Sequence, residues 1–225
     1  MLSKKTENVA IIGAGAWGTA LAWLLAKKRK NITLWFYTGN EYNQQVYQQA
    51  LATGNNSYLP NCQLADIKLV NDLKIACFNK DFIILANPIQ KQRAILEQLA
   101  ICLEPKTILI NASKGLELNS LMLMSEIIRE ILPQHYQTAC YLSGPSFASQ
   151  VVNNSITTVS LASLDKASCL KAQALLTTKR FGLYLNKDII GVQVGGAVKN
   201  PIAIVAGILT GLGEASDNTK AALLS

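Results

Sequence analysis

Half of the 225 residues are apolar and 16% are charged, which is enough to bury a sizeable core and excludes a disordered chain. The net charge of +7 suits nucleic acid, an anionic membrane surface or small phosphorylated ligands alike. Apart from the run Lys27-Lys28-Arg29-Lys30, however, the basic residues are scattered; no basic stripe interleaved with aromatics is present, and nucleic-acid binding is not expected.

That run reads as the solvated C-terminal end of a helix, where cations suit the dipole. Cys62, Cys77, Cys102, Cys140 and Cys169 are odd in number and widely spaced. They form neither a Cys-x-x-Cys pair nor a Cys/His cluster, so buried, reduced thiols in a cytoplasmic protein are expected, with no disulfide scaffold and no metal. His135, the only histidine, follows a proline at the end of a helical segment and reads as a surface or cap residue. The opening Met-Leu-Ser-Lys-Lys-Thr-Glu-Asn lacks the apolar core of a signal peptide. No segment reaches the ~20 apolar residues of a membrane span; the longest candidate, Pro201 to Leu212, reads as a packed core helix.

In chain order, Val9 to Ile12 is a short apolar strand ending at Gly13, Trp17 to Lys28 has apolar residues at helical spacing, and Ile32 to Phe36 is a second strand. This is one βαβ unit. Further strands are predicted at Phe82 to Ala86, Thr107 to Asn111, Thr138 to Leu142, Thr157 to Ala162 and Gly182 to Leu185, and helices at Gln90 to Cys102, Ser120 to Ile131 and Lys166 to Leu176. The alternation predicts an α/β fold, a Rossmann-type, doubly wound, mostly parallel sheet. From about Ile189 glycines are interleaved with small apolar residues and the chain reads as helix, which places a domain boundary between residues 1–188 and the start of a helical domain at 189–225.

Gly13-Ala14-Gly15-Ala16-Trp17-Gly18 is a G-x-G-x-x-G motif directly after a strand and before a helix, the context in which it binds a dinucleotide. Gly13 makes the tight turn, Gly15 lets a pyrophosphate approach the backbone, and Gly18 lets helix and strand pack closely. The acid that grips the adenosine ribose is expected at the end of the second strand. Trp35-Phe36-Tyr37-Thr38 stands there instead, with Glu41 the nearest acid and no arginine. Tyr37 is therefore the candidate contact, and NAD and NADP stay open.

Gly13 through Ala22 resembles the opening fingerprint of the NAD(P)-dependent glycerol-3-phosphate dehydrogenases, of bacterial type. Later stretches resemble that family in order: Tyr58-Leu59-Pro60, Lys114-Gly115-Leu116-Glu117, Leu142 to Ala148, Gly195 to Asn200, Gly211-Leu212-Gly213 and Asp217 to Ala222. The resemblance implies hydride transfer between sn-glycerol 3-phosphate and dihydroxyacetone phosphate with NAD or NADP, feeding glycerophospholipid synthesis. It implies that Lys114 contacts substrate phosphate or cofactor, and that Gly144, Ser146 and Ala148 lie near substrate or nicotinamide, with Ala16 and Trp17 in the cofactor turn.

Lys199 sits between Gly195-Gly196-Ala197-Val198 and an apolar run, a poor address for a solubilising charge. It is the candidate acid-base residue, for a lysine whose pKa is lowered can take and return the alcohol proton. Asn200 beside it is suited to position the substrate oxygen, and Pro201 predicts a local kink. The resemblance also implies a longer helical domain carrying an aspartate, a phosphate-binding arginine and a homodimer contact, so this length is expected to be C-terminally truncated and to expose an apolar helix face from about Val192 to Leu209. A β-hydroxyacid-type dehydrogenase and a non-catalytic dinucleotide-binding remnant are the alternatives.

Overall fold

The computed structural model describes residues 6–28, 30–213, 216, 218 and 219. Arg29 of the basic run, and Asp217 and Lys220 to Ala222 of the last family-like stretch, lie outside them. The elements are β1 (Asn8–Ile12), α1 (Ala16–Ala26), β2 (Asn31–Trp35), α2 (Glu41–Thr53), β3 (Asn55–Asn56), β4 (Leu59–Gln63), β5 (Ile67–Val70), α3 (Leu73–Cys77), β6 (Phe82–Leu85) and α4 (Ile89–Leu99). There follow β7 (Ile108–Asn111), α5 (Met124–Ile131), a 3-10 turn (Pro133–His135), β8 (Cys140–Ser143), α6 (Ala148–Val152), β9 (Thr157–Ser163), α7 (Lys166–Leu176), β10 (Phe181–Asn186) and α8 (Ile189–Gly211).

Eight strands form one sheet in the order β10-β9-β8-β7-β6-β1-β2-β5. Every neighbouring pair is parallel except β8 with β9. Such a sheet is covered on both faces, which is why the central β6 and β7 are buried at every position and almost wholly apolar. Successive residues point to opposite faces. Val9, Ile11, Ile84 and Ile110 pack with Leu21 and Leu25 of α1 and Ala172 and Leu176 of α7. Ala10, Ile12, Ile83 and Leu85 pack with Leu96 of α4, Ile127 and Ile128 of α5, and Ile189 and Val192 of α8. The chain leaves β1 for β2 and β5 on one side and returns to β6 on the other. This reversal opens a crevice at the carboxyl ends of β1 and β6, the place where doubly wound sheets bind ligands.

The sequence reading missed α2, the β3–β4 hairpin, β5, α3 and α6. Helix α2 buries only Val46 and Ala50, so its apolar period is thin, and β5 is a short edge strand. Three other expectations are corrected. His135 is fully buried, its Nδ1 3.2 Å from the Thr107 carbonyl oxygen, at the amino end of β7 and remote from the crevice. Burial lowers its pKa, with the Thr107 carbonyl opposing.

The basic run does follow the C-terminal end of α1, but it is not simply solvated: Lys28 Nζ donates to the carbonyls of Ala174 (2.9 Å) and Thr177 (2.8 Å), satisfying acceptors at the end of α7. Lys27 lies over the Trp23 ring and Lys30 pairs with Glu7. Finally, the stretch Pro201 to Leu212 is not a packed core. Helix α8 buries Ile189, Val192, Gln193 and Gly196 in its first turns, whereas Ile204, Val205, Ile208 and Leu212 are exposed. Among the described residues α8 is the one helix long and apolar enough to cross a membrane; it carries Lys199 at its middle and runs through Pro201 as one element.

A Cβ on Gly18 would overlap the carbonyl oxygen of Gly13 and approach Ala86 Cβ at 3.3 Å. Both neighbours are fixed by β1 and β6. Gly18→Ala is therefore expected to cost about 2 kcal/mol or more, because overpacking against backbone leaves no side chain to yield. Urea denaturation of the two chains checks this.

Candidate active site

The crevice starts at the Gly-rich turn. Gly13 has φ +119°, and a Cβ there would overlap Asn87 Oδ1. Gly15 is the residue before α1 and has extended backbone; no side chain caps the helix, and nothing lies within 4 Å of a Cβ built on it. An uncapped helix N-terminus beside open space is what a pyrophosphate needs, so the residues present fit a dinucleotide. Sequence reading did not identify Asn56, which is buried and holds this turn in place. Its Nδ2 donates to Ala14 O at 2.7 Å and Thr19 Oγ1 at 2.8 Å, while its Oδ1 accepts from Tyr58 N at 3.1 Å.

Gly13, Ala14, Phe36, Tyr37, Asn43, Val46, Tyr58 and Asn87 line a cleft beside the turn. It thus brings the predicted Tyr37 and its neighbour Phe36 together with Gly13, and adds Asn43 and Asn87, which had no local signal. Trp17 is different: its ring packs toward Phe181 of β10, centroids 6.4 Å apart, leaving only its backbone at the helix N-terminus with that of Ala16. A roomier hollow between α7 and β10, lined by residues such as Thr158, Gln173 and Tyr184, has no charged wall and lies away from the crevice.

At the carboxyl ends of β7 and β8 the structure gathers Lys114, Gly144, Ser146 and Lys199. The loop carrying Lys114 is tied to α4. Gln90 Nε2 donates to Leu116 O and Gln90 Oε1 accepts from Leu118 N, both at 2.8 Å, and Arg93 grips Glu117 through two nitrogens at 2.9 Å. Glu117 of the Lys-Gly-Leu-Glu stretch is therefore an anchor. Gly144 has φ +151°, and a Cβ there would come within 2.9 Å of Val159 Cα; its carbonyl accepts from Lys114 Nζ at 3.0 Å and from Ser146 Oγ at 3.3 Å. Ala148 opens α6 and is partly buried in the core cluster that includes Trp17.

Helix α8 delivers Lys199. Asp188 caps it, accepting from Ile190 N and Gly191 N. Gln193 is buried and donates to Ser125 Oγ at 3.0 Å while accepting from Ser125 N at 3.0 Å, which fastens α8 to α5. One turn on, Gly196 lets the helix press against β8, since a Cβ there would meet Ser143 Oγ at 2.5 Å and Lys114 Cγ at 3.6 Å. Lys199 then lies beside Lys114, its Nζ 5.8 Å from the centre of the exposed Phe147 ring. Asn200 is exposed. Burial, and then the neighbouring Lys199 charge, push the Lys114 pKa down to about 8. No carboxylate pairs with either lysine among the described residues, so the two amines stand together without an acidic partner there.

Residues 8–169 match the family model for the NAD-dependent glycerol-3-phosphate dehydrogenase N-terminus, and residues 188–225 that for its C-terminus. The chain belongs to the NAD-dependent glycerol-3-phosphate dehydrogenase family. It is 44% identical over 224 residues to glycerol-3-phosphate dehydrogenase [NAD(P)+] of Geobacter sulfurreducens, covering 98% of this chain and 65% of that protein. The crystal structure of glycerol-3-phosphate dehydrogenase from Coxiella burnetii has a TM-score of 0.85 at 34% identity, covering 97% of this chain and 65% of that one. The glycerol-3-phosphate dehydrogenase structure of Dunaliella salina gives 0.86 at 25% identity, covering 98% and 40%. The chain thus spans about two thirds of the length of the curated relatives it matches. Its sheet is the Rossmann nucleotide-binding fold of this NAD(P)-dependent family, and the hydroxyacid alternative is not favoured.

Two outcomes are expected from the site. Gly15→Val places its side chain in open space, so the chain keeps its fold by circular dichroism and loses NADH binding by at least about 100-fold, the pyrophosphate being kept off the backbone. Lys114 has its folded pKa near 8 against an ordinary 10.5, so the unfolded chain binds the proton more tightly. Its presence therefore costs stability in full below pH 8, and the cost fades as pH rises from 8 to 10.5. Thermal unfolding across that range should show stability gained with pH in the wild type relative to Lys114→Met.

Proposed function

We propose that this chain is the dinucleotide-binding part, with the first helix of a following domain beginning at Ile189, of a cytoplasmic oxidoreductase. Its reaction interconverts sn-glycerol 3-phosphate and dihydroxyacetone phosphate with NAD(P), and supplies glycerophospholipid synthesis. The observation that carries this reading is the meeting of Lys114 and Lys199, without a carboxylate partner among the described residues, at the same sheet edge as the uncapped N-terminus of α1. Two compact ammonium groups suit a phosphate monoester, whose charge relieves their repulsion.

A nicotinamide dinucleotide held by the Gly13 to Gly18 turn would supply the hydride chemistry at the carbon bearing the oxygen. The chain has to manage the proton. In the oxidising direction the hydroxyl proton passes to a lysine amine, and in the reverse direction that lysine protonates the carbonyl oxygen. The two lysines act as a unit: because the second charge sits alongside, one proton is held loosely, while the other ammonium keeps the oxygen or phosphate in place. Gly144 O fixes the direction of Lys114 Nζ, and the Phe147 ring face steadies Lys199. Asn200, on the adjoining helix position, is proposed to orient the substrate oxygen, and Ser146 and Ala148 to border the nicotinamide. Self-association into a homodimer belongs to the reading and is supported by the exposed apolar residues Ile204, Val205 and Ile208 of α8.

The test is dihydroxyacetone-phosphate-dependent oxidation of NADH or NADPH by the purified chain. Lys199→Ala and Lys114→Ala are each expected to lower turnover by about 100-fold or more, as loss of a positioned acid-base group does. Turnover that survives both substitutions would overturn the lysine assignment, and oxidation of neither cofactor would overturn the activity for this chain.

A further inference from the structure

The cleft beside the Gly-rich turn carries an inference about which dinucleotide this chain takes; it rests on the dehydrogenase reading above. In a doubly wound site the adenosine 2′ position meets the segment that follows the second strand, where a carboxylate receives a 2′-hydroxyl or an arginine receives a 2′-phosphate. Here that segment is Phe36 to Glu41, and it has neither residue at the strand end. Between Asn31 and Ile67 the sequence contains no lysine or arginine at all.

What the cleft has instead is a set of neutral hydrogen-bonding groups. Tyr58 Oη donates to Asn43 Oδ1 at 3.2 Å, which leaves the Asn43 amide nitrogen to donate. Asn43 N is itself held by Asn40 Oδ1 at 2.9 Å. Tyr37 lies against Gly39, where any Cβ would overlap its ring, so the phenol is kept close to the strand end. Phe36 and Val46 supply apolar wall. The charge nearest in sequence is negative: Glu41 is exposed in the first turn of α2.

We propose that Tyr37, Asn43 and Tyr58 form a neutral ribose-binding set that, with the negative charge of Glu41 two residues before Asn43, selects NAD(H) over NADP(H). Hydroxyls of an unmodified ribose find both donors and acceptors there. A 2′-phosphate brings about two negative charges to a cleft whose lining residues include no cation, and exchanges its hydration for nothing that neutralises it.

Equilibrium titration of the purified chain with NADH and with NADPH, followed by tryptophan fluorescence, tests this without turnover. NADH is expected to bind at least about tenfold more tightly at moderate salt. Tyr37→Arg should bring NADPH affinity up by about tenfold, and Glu41→Gln, a surface change that leaves the fold alone, by about threefold. Both should therefore narrow the ratio of the two dissociation constants. NADPH binding as tight as NADH in the wild type would overturn the inference while leaving the cofactor reading intact. A ratio unmoved by both substitutions would overturn the assignment to this segment. Binding of neither dinucleotide would remove the cofactor reading and this inference with it.

Discussion

The whole arrangement hangs on how closely α1 can approach the end of β1. The Gly13 carbonyl occupies the space where a side chain on Gly18 would begin, so helix and strand touch backbone to backbone. That contact aims the first turn of α1 across the crevice at the strand-order reversal and leaves its amide groups without a side-chain cap. The approach is secured from the other side by Asn56, whose amide reaches both the loop and Thr19 of the helix. A hairpin whose Leu59 and Cys62 also join the core is thereby what holds the Gly-rich turn in register.

A second contact of the same kind places the chemistry. Gly196 lets α8 lie against Ser143 and the stem of Lys114, and the Gln193–Ser125 pair prevents the helix from sliding. With a bulkier residue at 196 the helix would stand off β8 and the two lysines would part. The pairing depends on β7, β8, α4 and α8 together, through anchors such as Arg93 to Glu117 that are far apart in sequence.

Much of this was legible in the residues and some was not. The strands β1, β2, β6 and β7 announce themselves because burial makes them short, mainly apolar runs, and β8, β9, β10, α1, α4, α7 and α8 follow from the alternation of apolar runs with helical spacing. Gly13 and Gly18 have the steric reasons that their spacing suggests, a positive φ and a close helix-to-strand contact. Helix α2 stayed silent because a mostly solvated helix has little apolar period to read. Asn56, Asn43 and Asn87 stayed silent for another reason: an asparagine that braces a loop looks, in sequence, like one that merely turns a chain. The lowered pKa of Lys114 stayed silent too, since its cause is the packing of the Lys114 stem under α8, which no local pattern records.

His135 and Lys114 stand at opposite ends of β7, one under its amino end and the other beyond its carboxyl end. Both are groups that burial makes reluctant to hold a proton. Their effects fall in separate intervals, for the lysine discourages the folded state as pH drops from 10.5 toward 8, and the imidazole does so only below its ordinary 6.5. Between those intervals neither group changes its proton count on folding. The proton dependence that these two groups lend to folding is therefore absent around neutrality, set on the alkaline side at the edge of the crevice and on the acid side in the core.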